Sequence, residues 1–133
     1  MLTIRRPLYL SRFKKHVADT QKHLLEHDYV QASEEIWGAL SSLMNAWSIV
    51  EVASVAAKKE KFADLYRQIS TKDLNLKQVL HDSHFDNSAH FVSKIEGLHL
   101  YFLGKTDYPG GFIKSTLEDV LRVLEEVEKV LLK

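Results

Sequence analysis

The sequence predicts an all-α protein, an antiparallel up-and-down helical bundle of four long helices plus one shorter helix. Apolar side chains recur every three or four positions along most of the chain, which is the period of a buried helix face. Gly and Pro are scarce, with five and two residues respectively, whereas a β protein of this length needs many more turn signals. We expect one domain over residues 1–133, because we find no linker, repeat or low-complexity segment that would divide the chain.

The first predicted helix runs from Pro7 to His27, since proline is tolerated in a first turn. The second begins at Asp28, which forms a capping box with Gln31. The strongest apolar stripe of the chain follows it, with steps of three and four residues: Tyr29, Ser33, Ile36, Leu40, Leu43, Trp47 and Val50. Gly38 lies inside this helix, where it costs about 1 kcal/mol relative to alanine. Its presence there indicates the close approach of a neighbouring helix.

A run of charged residues at 58–61 predicts a break or an exposed turn, after which a shorter helix covers about Lys59–Ile69. The segment 70–86 fits either a short helix or a packed loop. A fourth helix is expected to begin at Asp86 or Asn87, because both residue types are good helix caps.

The fourth helix is expected to end before Gly104, since glycine suits the left-handed position that follows a helix. A turn-rich loop over 105–111 comes next. The fifth helix is expected to begin near Ser115, because Ser115 and Glu118 have the spacing of a second capping box.

Composition and charge exclude several classes of protein. Hydrophobic residues make up 45% of the chain and charged residues 27%, which is too apolar for a disordered segment. The 18 Lys and Arg residues balance 18 Asp and Glu residues, which argues against a strongly basic nucleic-acid binder. Cysteine is absent, so disulfides and thiolate metal sites are excluded. We find neither a membrane-length apolar run nor a signal-peptide pattern, and therefore expect a cytoplasmic protein with no membrane partner.

His99 is the strongest candidate for chemistry, because it lies beside the apolar stripe of the fourth helix. Glu96 is three residues back, close enough to orient the imidazole. Lys94 is five residues back, a rotation of about 140° on a regular helix, and its long side chain could still reach the same groove. A histidine with a nearby cation is the minimum for metal-free phosphodiester cleavage, since one moves the proton and the other stabilises the phosphate charge. A half-buried histidine that is bonded to a neighbouring helix is the alternative, and the residues alone favour it.

The remaining histidines predict no metal site, and we expect no cofactor. His81 and His84 have the three-residue spacing of a ligand pair on one helix turn, but zinc needs a third protein ligand. His90 follows only after an expected helix break, so surface or capping roles fit these residues better. Three more histidines share one face of the first helix, which we interpret as a solvated or interface face: His16, His23 and His27.

Two stretches of the chain resemble a known family. One is EHDYVQASEEIWGA at 26–39, and the other is GLHLYF at 97–102, followed after a short loop by an amphipathic helix at 117–132. In this order they are similar to the archaeal PaREP repeat-family proteins of the HEPN superfamily (higher eukaryote and prokaryote nucleotide-binding domains). The resemblance covers about residues 10–132, with a poor match over 58–86.

The resemblance implies a helical bundle, often a homodimer. Many members of the superfamily are metal-independent ribonucleases or toxins of toxin–antitoxin pairs, and others are non-catalytic partners that bind nucleotides or RNA. Their catalytic signature is an arginine, a polar residue directly after it, and a histidine a few positions on. Here His99 matches the histidine, whereas Lys94 stands in the arginine position and Ile95 in the polar position. Lysine lacks the planar fork with which arginine grips a phosphate.

We therefore expect a non-catalytic module that binds a nucleotide, RNA or a protein in a groove near His99. The candidate lining residues are Glu34, Trp37, Glu96 and Tyr101. The resemblance implies a second copy of the chain as partner, and possible partners include a small protein such as a nucleotidyltransferase or an antitoxin. Two alternatives stay open: a metal-independent endoribonuclease or toxin that uses His99 and Lys94, and a purely structural oligomerisation bundle.

Overall fold

The computed structural model describes residues 2–47, 55–70, 74–107 and 110–131. Six helices lie in these residues: α1 (Leu2–Leu25), α2 (Tyr29–Trp47), α3 (Val55–Ser70), α4 (Leu74–Asp82), α5 (Ser88–Phe102) and α6 (Gly110–Leu131). The described residues contain no strand, so the predicted all-α class is confirmed. None of the described helices combines the length and the apolar character that a membrane span requires.

α2 lies at the centre of the fold. It packs against α1 along much of its length and also contacts α5, α6 and α3. Ile36, Leu40, Leu43 and Met44 have no exposed surface as a result. The apolar stripe of α2 is wide because neighbours cover it on several sides within one chain. Its width therefore does not call for a second copy of the protein.

Aromatic packing joins the remaining helices to this centre. The ring of Phe91 on α5 lies 4.8 Å from that of Phe62 on α3, between centroids. Phe85, in the turn between α4 and α5, meets Phe91 edge-on at a centroid distance of 5.0 Å. All three side chains are buried. Such contacts add to the hydrophobic stabilisation that burial of the rings provides.

The helix caps that the sequence predicts are largely present. The backbone N–H of Gln31 donates to the Asp28 carboxylate at 3.2 Å. Asn87 rather than Asp86 caps α5, and its side chain accepts from the His90 backbone N–H at 2.8 Å. Gly104 has a φ of +73° directly after α5, as expected.

The chain turns in the same way after α1, α4 and α5. After α5, the Lys105 N–H donates to the Leu100 carbonyl and the Gly104 N–H to the Tyr101 carbonyl, which is a Schellman motif. The equivalent left-handed positions after α1 and α4 hold His27 and His84, with φ of 59° and 70°. Histidine tolerates this conformation less well than glycine does. These two turns therefore present imidazoles at the ends of helices.

Three predicted helix boundaries are wrong, and the described residues contain six helices rather than five. The first helix begins at Leu2 rather than at Pro7, so the proline lies inside α1. The charged run at 58–61 is not a break, because it lies inside α3. Lysine and glutamate are good helix formers, and Lys58 has helical spacing to the buried Phe62 and Leu65. The segment 70–86, left open by the sequence, contains α4.

Ser115 does not begin the last helix, since α6 starts at Gly110. Ile113 is 1% exposed and continues the buried stripe of Leu117 and Val120 in the N-terminal direction. Burial of this side chain extends the helix through the expected capping box. The extension places Ser115 on a helical face instead of at a helix end.

His16 and Gly38 mark a close approach of α1 and α2. A Cβ atom on Gly38 would lie 2.6 Å from Cε1 and 2.8 Å from Nε2 of the His16 ring. The imidazole Nδ1 lies 2.7 Å from the Glu35 carboxylate. The predicted close packing at Gly38 is thus confirmed, and His16 joins two helices in addition to having solvent access.

We expect Gly38→Ala to lower the free energy of unfolding by about 1–3 kcal/mol, the range for overpacking. The new methyl group would displace the His16 ring and break its bond to Glu35, which outweighs the higher helix propensity of alanine. Chemical denaturation monitored by circular dichroism measures the change.

Gly97→Ala is the matched control, because a Cβ on Gly97 in α5 would meet nothing within 4 Å. This variant should gain up to about 1 kcal/mol from helix propensity. In a His16→Ala background, Gly38→Ala should likewise no longer destabilise. Equal stabilisation by both substitutions in the parent chain would contradict the proposed clash.

Candidate functional site

The imidazole of His99 on α5 stacks on the indole of Trp37 on α2. The ring centroids are 4.2 Å apart and the planes differ by 11°. Phe102, one helical turn further along α5, lies 6.4 Å from the imidazole between centroids, at an interplanar angle of 26°. All three side chains are half-buried. Part of this aromatic layer is therefore accessible to solvent.

α3 contributes a cation that lies over the Trp37 ring. Lys58 is 3% exposed, and its ammonium lies 4.7 Å from the centroid of the Trp37 ring. This is within the range of a cation–π interaction, which is strongest with tryptophan. Burial lowers the pKa of Lys58, because desolvation disfavours the charged form. We refer to Trp37, Lys58, His99 and Phe102 as the stacked site.

The surroundings of His99 favour its neutral form. Burial is the main cause that lowers its pKa, and the positive charges of Lys58 and Lys105 act in the same direction. The Glu34 carboxylate opposes them. The buried Nδ1 of the ring makes no hydrogen bond to any described residue. The imidazole can therefore accept a proton or a hydrogen bond from a ligand more readily than a charged histidine could.

The structure brings together only some of the residues that the sequence proposed. His99 and Trp37 are in contact, and Glu34 is close enough to shift the pKa of His99. Glu96 is half-buried on α5 and does not hydrogen-bond the buried Nδ1, so the expected orienting bond to that atom is absent. Tyr101 is half-buried and packs against the apolar core.

Lys94 does not share the stacked site with His99. It lines a separate cleft together with His84, His90 and Arg122, and it is not among the charges that shift the pKa of His99. The rotation of about 140° between positions 94 and 99 directs the two side chains to different sides of α5. The expected reach of the lysine around the helix does not occur.

Sequence reasoning missed Lys58, Phe102 and Lys105 as members or neighbours of the site. The helical spacing of Lys58 to Phe62 was a usable signal, but the charged run around it suggested a break. Phe102 lies three residues from His99, which places both on one helix face. Lys105 becomes a neighbour of His99 only through the left-handed turn at Gly104, which periodicity does not reveal.

Three of the other histidines have partners that suit caps and surface pairs, whereas the buried Nδ1 of His23 has no hydrogen-bond partner among the described residues. The Asp86 N–H donates to Nδ1 of His90 at 3.0 Å, and Nδ1 of His84 lies 3.2 Å from the Asp119 carboxylate. His27 Nδ1 lies 3.1 Å from the Tyr29 hydroxyl. Throughout the described ranges, no group of three or more His, Cys, Asp or Glu side chains is arranged to hold a metal ion.

Comparisons of the chain with protein-family models, with curated proteins and with solved structures find no match.

We expect the imidazole of His99 to titrate below pH 6.5, its unperturbed value. Burial and the lysine charges disfavour the protonated form in the folded state but not in the unfolded chain. The stability that this histidine contributes is thus present above pH 6.5 and is lost as the pH falls through the lowered folded-state pKa. NMR titration of the His99 ring signals, assigned with His99→Gln, measures the midpoint.

Lys58→Met tests the electrostatic part of this shift, since it removes the charge and keeps a long apolar side chain. The His99 midpoint should rise in this variant. Lys77→Met, at an exposed position on α4, is the control and should leave the midpoint unchanged. A parent midpoint at or above 6.5 would contradict the description of the site.

Proposed function

We propose that this chain is a non-catalytic HEPN-like helical domain that binds a nucleotide or a short stretch of RNA at the stacked site. The observation that carries the proposal is the imidazole of His99 layered on the indole of Trp37 at 4.2 Å, with Phe102 beside it. Proteins recognise unpaired bases by stacking them on aromatic side chains of this kind. The partly exposed rings offer such a platform.

Charged side chains around the stacked rings are placed to contact the phosphate of a nucleotide and the polar edge of its base. Lys105 is exposed near His99, where it can contact a phosphate. The exposed carboxylate of Glu34 can accept a hydrogen bond from the exocyclic amine of a base. The ammonium of Lys58 lies 4.7 Å from the centroid of the Trp37 ring, and its positive charge raises the local electrostatic potential for an anion.

The overall charge limits the size of the ligand. The formal net charge of the chain is zero, and long nucleic acids are bound mainly through many phosphate contacts. A mononucleotide or a few unpaired nucleotides fit this balance better than a duplex. The binding should depend only weakly on salt concentration, since few counterions would be released.

The separation of His99 from Lys94 supports the non-catalytic form of the proposal. The expected pair would have combined a proton-transfer group with a cation at one phosphate. Lys94 lines another cleft.

The alternative, a metal-independent endoribonuclease, is favoured by one observation, since a neutral His99 near Lys58 can still act as a general base. The third candidate, a purely structural bundle, would leave the exposed part of the stacked site without a ligand.

Further parts of the proposal rest on the resemblance and on composition. These are membership of the PaREP group, a homodimer, a nucleotidyltransferase or antitoxin as partner, and a cytoplasmic location suggested by the absence of cysteine. Sedimentation tests the dimer: a single species of 15.3 kDa, the mass of one chain, at micromolar concentration would refute it.

We expect short single-stranded RNA or mononucleotides to bind the protein and His99→Ala to weaken this binding about tenfold. Base–aromatic stacking contributes about 1–3 kcal/mol per base, and tenfold corresponds to the lower part of that range. Isothermal titration calorimetry in the presence of a chelator measures the affinities.

Trp47→Phe is the matched control for this experiment. Trp47 is the second tryptophan of α2 and packs against the core, so its replacement should leave the affinity unchanged. In the same variant Trp37 is the only remaining tryptophan, and ligand binding should change the fluorescence emission of Trp37. Equal affinities of the parent chain and His99→Ala, or no binding by either, would refute the proposal.

We expect no cleavage when labelled RNA is incubated with the purified protein in chelator. Products that appear with the parent chain and disappear with His99→Ala would establish the ribonuclease alternative instead. Lys94→Gln distinguishes two ways in which RNA could be cleaved. Cleavage by the predicted pair of His99 and Lys94 would be lost in this variant, whereas cleavage at the stacked site would be retained.

A further inference from the structure

A second cleft lies on another side of α5. Its volume is about 540 Å³, within the usual range for small-molecule sites. Three segments form it: the turn after α4, the first half of α5 and one face of α6. None of the residues of the stacked site lines this cleft, so it is a separate feature of the molecule.

Arg122 of α6 is held in a fixed position at the cleft. Its Nη1 atom donates to the buried Ser83 hydroxyl at 3.2 Å and to the Asp119 carboxylate at 3.0 Å. The other two nitrogens of the guanidinium make no hydrogen bond within the described ranges of the chain. They remain available to a ligand, and a guanidinium fork is well suited to phosphate oxygens.

Asp119 also orients an imidazole. Its second carboxylate oxygen lies 3.2 Å from Nδ1 of His84. A carboxylate can only accept, so Nδ1 carries the proton and Nε2 is left for other partners. The left-handed backbone of His84, with φ of 70°, projects this residue from the end of α4. Asp119 thus fixes an arginine and a histidine at one cleft.

Lys94 adds an exposed cation to the cleft. It is exposed on α5, one turn after His90, and no described carboxylate pairs with it. Glu118 is the second carboxylate that lines the cleft, and it is exposed. Asp119 is already engaged by Arg122 and His84, so Lys94 is the cation most free to meet an incoming anion.

Phe112 supplies an apolar wall. It lines the cleft and is 69% exposed, which is unusual for a large aromatic side chain. Phe112, Ser115, Asp119 and Arg122 follow one another at steps of three, four and three residues, so one face of α6 carries all of them. The early start of α6 at Gly110 is what brings Phe112 and Ser115 onto this face.

We propose that this cleft binds a phosphomonoester of a small molecule with a flat apolar group. Arg122 and Lys94 hold the phosphate, Nε2 of His84 accepts a hydrogen bond from a protonated phosphate oxygen, and the organic group packs against Phe112. The Ser115 and Thr116 side chains line the same cleft. This site is independent of the nucleotide platform at His99.

Phenyl phosphate is the test ligand. Inorganic phosphate and phenol are measured separately, because they represent its phosphate group and its aromatic ring. Calorimetry should show that phenyl phosphate binds more tightly than inorganic phosphate and that phenol alone does not bind. NMR should show that phenyl phosphate shifts the ring signals of His84 and leaves those of His99 unchanged.

Lys94→Gln is the decisive variant, because Lys94 is exposed and its loss does not threaten the fold. It should weaken phenyl phosphate binding about tenfold, as expected for one charge-assisted hydrogen bond. Phe112→Ala should weaken phenyl phosphate but not inorganic phosphate. Lys22→Gln, at an exposed position on α1 outside the cleft, is the matched control and should change neither affinity.

Three results would overturn the proposal. One is the absence of phenyl phosphate binding at millimolar concentration. Another is unchanged affinity in Lys94→Gln. The last is binding that shifts the His99 signals instead of those of His84, which would assign the phosphate to the stacked site. Arg122→Gln is unsuitable as the sole test, because it also breaks the bonds to Ser83 and Asp119.

Discussion

The burial of α2 is the constraint on which the rest of the structure depends. Four helices pack against it, and its inward side chains lose all contact with water. Because apolar burial contributes about 25 cal/mol per Å², a helix covered on several sides supplies a large part of the stabilisation of a small domain. The same central position places Trp37 between α3 and α5, where neighbouring elements determine what it contacts.

Polar side chains enter this packing at a few well-defined points. Gly38 leaves room for the His16 ring, which lies against α2 and bonds to Glu35. Lys58 is buried beside Trp37, where the face of the indole compensates part of the cost of removing an ammonium from water. An apolar residue at position 58 would pack at lower cost. The positive charge of the lysine in turn lowers the pKa of His99.

α5 carries different functional groups on two of its sides, because successive side chains of a helix point outwards about 100° apart. His99 stacks on Trp37 of α2 and lies beside Phe102, whereas His90 and Lys94 line the cleft beside α6. The turn at Gly104 then returns Lys105 towards His99. One short helix can therefore support two separate sites with little electrostatic interference between Lys94 and His99.

The sequence by itself determined the all-α class, the caps at Asp28 and Asn87, the left-handed Gly104 and the need for close packing at Gly38. These features depend on local backbone chemistry and on the helical period, which a short window of residues contains. It also identified His99 and Trp37 as candidates. Only the tertiary structure decided that Lys58 is buried, that α6 begins before Ser115, and that Lys94 and His99 face different sides of α5. Those outcomes depend on which helices become neighbours, because the burial of one side chain is set by surfaces distant in sequence.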